Sequence, residues 1–373
     1  MRSTRTSAAW AAVAIATSLL GVTIVSAQSA TAVATSGIAK GVTLPNSRLY
    51  ALTSDNSLYI LKPGATQYVR GGRVDVSDGG NLIGIDFRPA DGQLYGLTDR
   101  GGLYTIDLST RYFGATSKVS QVNPRFSGGF GALVDFNPVL NALRIGGSND
   151  QNIAVVNGAN GGNLNTTAVQ TRFAYAQGDV SYGKDPEIVG GAYTNNFNGA
   201  TTTLFYMVDH DLDTLVTISN KNATGSSNTG SGLLQTIGPF VDEYGNALNM
   251  SPTTDFDIYT DSNGNNFLVG QTTRLLFSID LSQLDPNLRL GRTQKVVVKR
   301  GQPAPLPGSS APLTGGVFDI AIVPRPLPSL RTSGESRPGR RRESGPLSSH
   351  YFPGSHRRGA RGGGSFLTVA LFL

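Results

Sequence analysis

The chain has 373 residues, with 31 Lys+Arg against 25 Asp+Glu, a formal net charge of +6, 47 glycines, 19 prolines and no cysteine. Without cysteine there is no disulfide framework, thiolate nucleophile, iron–sulfur cluster or cysteine-ligated zinc, and with three histidines, His210, His350 and His356, only His210 in the folded body could be the base of a Ser-His-Asp triad. At 39% apolar and 15% charged, a glycine-rich chain suits a turn-rich β protein better than a helical bundle.

Residues 1–27 read as a secretory signal: Arg2 and Arg5, an apolar stretch from Ala8 to Val25, and the small triplet Val25-Ser26-Ala27 with cleavage expected after Ala27. Residues 28–47 read as a flexible linker. At the other end, residues 325–373 carry nine arginines against Glu335 and Glu343 among Gly, Pro and Ser, too little aliphatic content to offset the entropy of ordering, so a disordered tail is expected. Setting aside the two leader arginines and these tail charges leaves 20 basic and 23 acidic residues in 29–324. The body is mildly acidic and unsuited to gripping phosphates, which argues against nucleic acid as a partner.

Between the ends, short strand-forming runs alternate with turn residues. Leu49-Tyr50-Ala51-Leu52 and Ser57–Leu61 come first. A repeat then begins: Gly84-Ile85-Asp86-Phe87, Leu133-Val134-Asp135-Phe136, Gly191-Ala192-Tyr193, Asp255-Phe256-Asp257-Ile258 and Val317-Phe318-Asp319-Ile320. From Asp86 to Asp319 the intervals are 49, 57, 65 and 62 residues, with Ala192 replacing the aspartate in the third copy. Each copy but the last is followed by further strand-like segments, such as Gln93–Leu97, Gly102–Leu108 and Ala115–Val122 after the first. Helical periodicity is almost absent. Four strands per repeat is the pattern of a β-propeller. The opening pair of strands lacks an inner strand and the last copy lacks a hairpin, so the two chain ends complete one sheet. The expected fold is all-β, a propeller over 48–324 of five four-stranded blades closed by pairing the N-terminal hairpin with the C-terminal strand. Six blades is the alternative, with a hidden strand pair in Lys221–Gly232.

The runs Leu82–Leu97, Val134-Asp135-Phe136-Asn137-Pro138, Ala192–Phe197 and Asp213-Thr214-Leu215-Val216 resemble the DUF4394 family of uncharacterised, mostly bacterial, exported proteins, over about residues 48–323. The resemblance implies a secreted, propeller-like domain and brings no catalytic residues to carry over.

Candidate chemistry follows from the repeat and from the loops. Asp86, Asp135, Asp257 and Asp319 occupy equivalent inner-strand positions and could ring a central channel, where they would hold a cation or polyol or, the favoured reading, lock neighbouring blades through backbone hydrogen bonds. Asp209, Asp211 and Asp213 alternate along a hairpin in a calcium-like spacing, as do the oxygen-bearing residues of Asp261–Asn265, although turn chemistry also selects these residue types. The loops leading into the third and fourth inner strands hold Tyr175, Asp179, Tyr182, Asp185 and Glu187, then Asp242, Glu243 and Tyr244, tyrosines beside carboxylates as a sugar site would use. No Gly-x-Ser-x-Gly elbow, zinc helix or phosphate loop is present. The expectation is a monomeric, secreted or surface-exposed, non-catalytic binding or structural module for an extracellular carbohydrate or protein ligand. It has no membrane association after signal cleavage and no cofactor, calcium being the one candidate ion. The alternative is a propeller-type lyase or hydrolase acting on a polysaccharide or lactone with metal or carboxylate assistance.

Overall fold

Apolar runs of five or six residues, rich in Leu, Ile, Val, Phe and Tyr and cut by Asn, Asp and Gly turns, form strands throughout the chain. The computed structural model describes residues 47–65, 67–158, 164–272, 276–301 and 316–324. The expected signal, the linker up to residue 46 and the tail lie outside the described residues.

The strands fall into sets of four. The first set begins with β1 (Leu49–Thr53), β2 (Ser57–Leu61) and β3 (Val69–Arg73); the second is β4 (Leu82–Phe87), β5 (Leu94–Thr98), β6 (Gly102–Ile106) and β7 (Thr116–Gln121). The third is β8 (Ala132–Asn137), β9 (Ala142–Gly147), β10 (Asn152–Asn157) and β11 (Leu164–Val169). After the two-residue β12 (Ala174–Tyr175), the fourth is β13 (Ile188–Tyr193), β14 (Phe205–Asp209), β15 (Thr214–Ile218) and β16 (Leu233–Asp242). The fifth is β17 (Asp255–Thr260), β18 (Asn266–Gln271), β19 (Leu276–Asp280) and β20 (Val296–Gly301), and β21 (Val317–Ile322) returns to the first. Each set is an antiparallel meander, and the first has the order β21-β1-β2-β3. Leu49 faces Ile322, and Val323 N–H donates to the Arg48 carbonyl at 3.0 Å. The two ends of the domain are thus joined by a strand pair.

The innermost strands β4, β8, β13, β17 and β21 are buried along their whole length, whereas the outer strands β3, β7 and β11 are mostly half-buried or exposed. In space β4 neighbours β8, β8 neighbours β13, β13 neighbours β17, β17 neighbours β21 and β21 neighbours β4. A cycle of inner strands with a sheet radiating from each is an all-β propeller. Apolar residues alternate to serve both faces: in β1, Leu49 and Ala51 pack toward the fifth set and Tyr50 and Leu52 toward the second. Among the described residues, Lys221–Gly232 holds an isolated bridge between Lys221 and Ser227 and the 3-10 turn Thr229–Ser231, not a further strand pair.

One connection departs from the simple pattern. The ten-residue β16 pairs antiparallel with β15 through its first half and then, from Phe240 to Asp242, parallel with Val296–Val298 of β20. The fourth and fifth sets therefore form one continuous sheet. The change of partner occurs at Gly238-Pro239, where Gln294 N–H donates to the Ile237 carbonyl at 2.9 Å. A Cβ on Gly238 would lie 1.7 Å from the Gln294 carbonyl oxygen, so only glycine allows the two backbones to meet. We predict that Gly238→Ala destabilises the domain by about 1–3 kcal/mol through forced backbone displacement; urea denaturation measures this, and an unchanged midpoint would contradict it.

Candidate functional site

A β-strand sends residues i and i+2 to one face, so a carboxylate at the same place in successive inner strands meets the same surroundings each time. Four of the five repeat copies carry it, and the bonds that result run in one direction around the cycle. Asp319 on β21 accepts from Ile85 N–H of β4 at 2.6 Å, Asp86 on β4 from Phe136 N–H of β8 at 2.7 Å, and Asp135 on β8 from Tyr193 N–H of β13 at 3.0 Å. On β17, Asp255 accepts from Ile320 N–H at 3.0 Å and Asp257 from Ile322 N–H at 2.6 Å, both on β21. The step from β13 to β17 lacks a carboxylate because β13 carries Ala192 there. In its place the backbone of Gly190 approaches so closely that a Cβ would stand 2.6 Å from Asp255 Oδ1.

All five carboxyl groups are buried. One oxygen from each of Asp86, Asp135 and Asp257 lies within 4.8 Å of the others, a group that could hold a cation and, among the described residues, the sole acidic cluster of that geometry. Burial, followed by the charge of Asp257, raises Asp86 well above the ordinary carboxyl range; burial, followed by Asp86, does the same for Asp135. Burial raises Asp257 to about 7 and Asp255 to about 6, and burial with the adjacent Asp255 raises Asp319. Asp255 and Asp319 act directly on each other, and a proton on one of them would relieve their repulsion. The cluster can store protons or bind a cation, either of which offsets the repulsion of neighbouring buried charges. Asp255 was not singled out from the sequence; its i, i+2 relation to Asp257 on one strand was the available signal.

The loop residues divide into those turned inward and those left outside. Tyr175, Asp179 and Asp242, expected to contact a ligand, are buried. Tyr175 donates to Asp209 at 2.5 Å, and Asp179 accepts from Ser181 N–H, Thr236 N–H and the Thr236 hydroxyl at 2.7–2.9 Å. Asp242 closes a turn by accepting from Tyr244 N–H and Asn246 N–H, with Arg300 at 2.9 Å. These three side chains hold loops to the scaffold, a correction to the ligand-binding expectation. Tyr182, Asp185, Glu243 and Tyr244 are exposed, and Glu187 is half-buried with its carboxyl raised by that burial.

The expected calcium triad is also corrected. Asp209 is buried and accepts from Tyr175, Asp211 N–H and Leu212 N–H, while Asp213, at φ +52°, accepts from Met250 N–H at 2.6 Å and Asp211 is exposed. The three carboxylates serve different partners and do not form a ligand cluster. In the second calcium-like loop, Asp261 accepts from Asn263 N–H, Asn265 N–H and the Asn265 amide, the bonding of an ordinary Asx turn. His210 sits half-buried in the β14–β15 turn, its backbone N–H on the Glu187 carbonyl at 3.1 Å.

The raised carboxyl groups fix the sign of a pH effect. A group whose pKa is higher folded than unfolded makes the native state bind more protons, so stability falls as pH rises through the window between the two values. For Asp255 and Asp257 that window runs from about 4 in the unfolded chain to about 6 and about 7 in the native state. Turn carboxylates such as Asp242 and Asp261, lowered chiefly by their Asn246 and Asn265 side-chain partners, have the opposite sign and lose their contribution only in stronger acid. Melting temperature should therefore decline from about pH 5 to pH 8. Asp135→Asn keeps an acceptor for Tyr193 and removes a charge, so it should reduce the decline and be at least as stable as the parent at pH 8; a lower melting temperature there would contradict the charge argument.

The family described as "Domain of unknown function (DUF4394)" matches residues 71–285. No curated protein sequence matches the chain. Among solved structures, an auxiliary nutrient binding protein from Bacteroides thetaiotaomicron is 14% identical with a TM-score of 0.35, over 59% of this chain and 55% of its own. This chain thus spans about half the length of that protein. The calcium-binding protein regucalcin from Agrobacterium tumefaciens is 12% identical with a TM-score of 0.38, over 79% of this chain and 95% of its own. The Dos1 propeller is 11% identical with a TM-score of 0.32, over 60% of this chain and 51% of its own.

Proposed function

The chain belongs to the DUF4394 family of domains of unknown function, and from that premise we propose that it is an exported, non-catalytic binding module built on a propeller scaffold. One observation carries this reading: the inner-strand carboxylates, the groups best placed for channel chemistry, are engaged by backbone amides of the neighbouring inner strand. A carboxylate acting as general acid or base must exchange protons with a substrate in the site. Here the bonds that would have to be released hold the scaffold together. Recognition then falls to surfaces outside the ring, in a secreted protein whose partner is a carbohydrate or a protein.

A second reading, a lyase or hydrolase with metal or carboxylate assistance, is favoured by the approach of Asp86, Asp135 and Asp257 within 4.8 Å. The two readings separate when the protein is incubated with a panel of polysaccharides and lactones and both retention and product are measured. The binding module should retain a polymer with no new reducing ends, unsaturated products or ring-opened acid. Product formation that is lost in Asp257→Asn would establish the enzyme instead. Melting temperature compared in chelator and in millimolar calcium should be unchanged for the binding module, whereas saturation of a site would raise it.

A further inference from the structure

The join between the fourth and fifth sheets leaves a cavity at the strand ends opposite those that carry Tyr182 and Tyr244. Turns after β13, β15, β17 and β19 enclose about 920 Å³. A second chamber of about 300 Å³ shares Leu204, Tyr206, Lys221, Pro286 and Asn287 with the first. Ligand sites have volumes of about 300–1,000 Å³.

Two features distinguish this groove from a packing defect. Tyr206 is 4% exposed and lines both chambers, yet its hydroxyl has no hydrogen-bond partner among the described residues. Buried Tyr68 and Tyr175, in contrast, donate to Gln271 and Asp209. The Tyr206 hydroxyl oxygen is not fully buried, so at the groove wall it is a polar handle that needs no protein partner. The second feature is the lining. The larger chamber is lined by nine neutral amide or hydroxyl side chains from Thr, Asn and Ser and by two charged residues, Lys221 and Asp280; most of the neutral groups bond within the wall, as Asn195 does with Thr202 and Asn266 and Asn265 with Asp261. Lys221 Nζ donates to the Pro286 carbonyl and Asn287 Oδ1, each at 2.9 Å, tying the two lips together, and Asp280 accepts from Ser282 N–H and its hydroxyl. Neutral hydrogen-bonding groups beside the rings of Tyr206 and Phe267 suit a molecule with hydroxyls on its rim and C–H bonds on its faces.

We propose that this inter-blade groove binds a neutral oligosaccharide, with the Tyr206 hydroxyl and the Asn287 amide as polar contacts and Phe267 as an apolar platform. The assignment rests on the binding-module reading and gives it a ligand class and a place.

The test is isothermal titration of the exported chain with cellohexaose, maltohexaose, xylohexaose and mannohexaose. At least one should bind. Tyr206→Phe preserves packing and removes a hydroxyl without a protein partner, so melting temperature should hold while affinity falls about 3- to 10-fold, the loss of one hydrogen bond; Phe267→Ala should weaken binding further. Tyr182→Ala and Tyr244→Ala, on the opposite face, should leave affinity unchanged. No binding of any of the four at millimolar concentration would overturn the proposal. So would affinity that is insensitive to Tyr206→Phe and Phe267→Ala. If affinity falls in the Tyr182 and Tyr244 variants instead, the groove is wrong and the binding-module reading stands. If a hexaose is cleaved and the groove variants weaken its binding, the groove stands and the non-catalytic reading fails.

Discussion

The propeller depends on a bond that crosses from one inner strand to the next: a buried aspartate accepting a backbone N–H of its neighbour. Strands at the centre of a radial fold converge, and their backbones pair within their own sheets, so hydrogen bonds between sheets must come from side chains. A carboxylate is suited to this because it accepts on two oxygens and is short enough to keep adjacent strands close. Asp86 uses one oxygen for Phe87 N–H beside it and the other for Phe136 N–H across the gap, and Asp257 does the same for Ile258 and Ile322. The cost is electrostatic. Five acidic groups share the centre, and protons or a cation must neutralise part of that charge.

The cycle has one position without this bond, between β13 and β17, and the fold compensates further out. There the backbone of Gly190 packs directly against Asp255. On the outside of the same two sets, β16 leaves its own sheet to pair with β20, and Val189, Tyr206, Phe240, Phe256 and Val296 share one apolar cluster. The fourth and fifth sets are therefore held by backbone pairing and core packing where the others rely on carboxylates. The groove that opens at their far end belongs to the same departure from regularity. In a repeat protein a binding site is most readily built where the repeat is broken, because an identical feature in every unit serves the scaffold.

How far the chain could be read depended on what each residue's role required. The strand meander, the closure of the ring by Leu49–Leu61 with Val317–Val323, and the alternation that buries both faces of the inner strands were legible because they follow from local periodicity and turn chemistry. So was the placement of Asp86, Asp135, Asp257 and Asp319 at equivalent points. The loop readings fared differently. Tyr175 and Asp179 have the same composition signature as Tyr182 and Asp185 a few residues on, yet the first pair is buried and the second exposed. A tyrosine beside a carboxylate describes a ligand site and an internal tie equally well, and only the direction of the side chain separates them. Asp209, Asp211 and Asp213 misled for a related reason: alternate positions in a tight turn point to different surroundings, so their spacing did not bring the oxygens together.

The sequence by itself determined the all-β architecture and its repeat, since periodicity, glycine-rich turns and recurring aspartates are local properties that each segment carries wherever it sits. The tertiary structure alone decided which acidic and aromatic residues are ties and which are surface, that β16 would join two sheets, and that Tyr206 would line an open groove with its hydroxyl unpaired. Those outcomes depend on residues 20 to more than 200 positions apart meeting in three dimensions, as Asp319 meets Ile85 and Lys221 meets Asn287. No local pattern encodes such a meeting, because it is set by how the sheets close on one another.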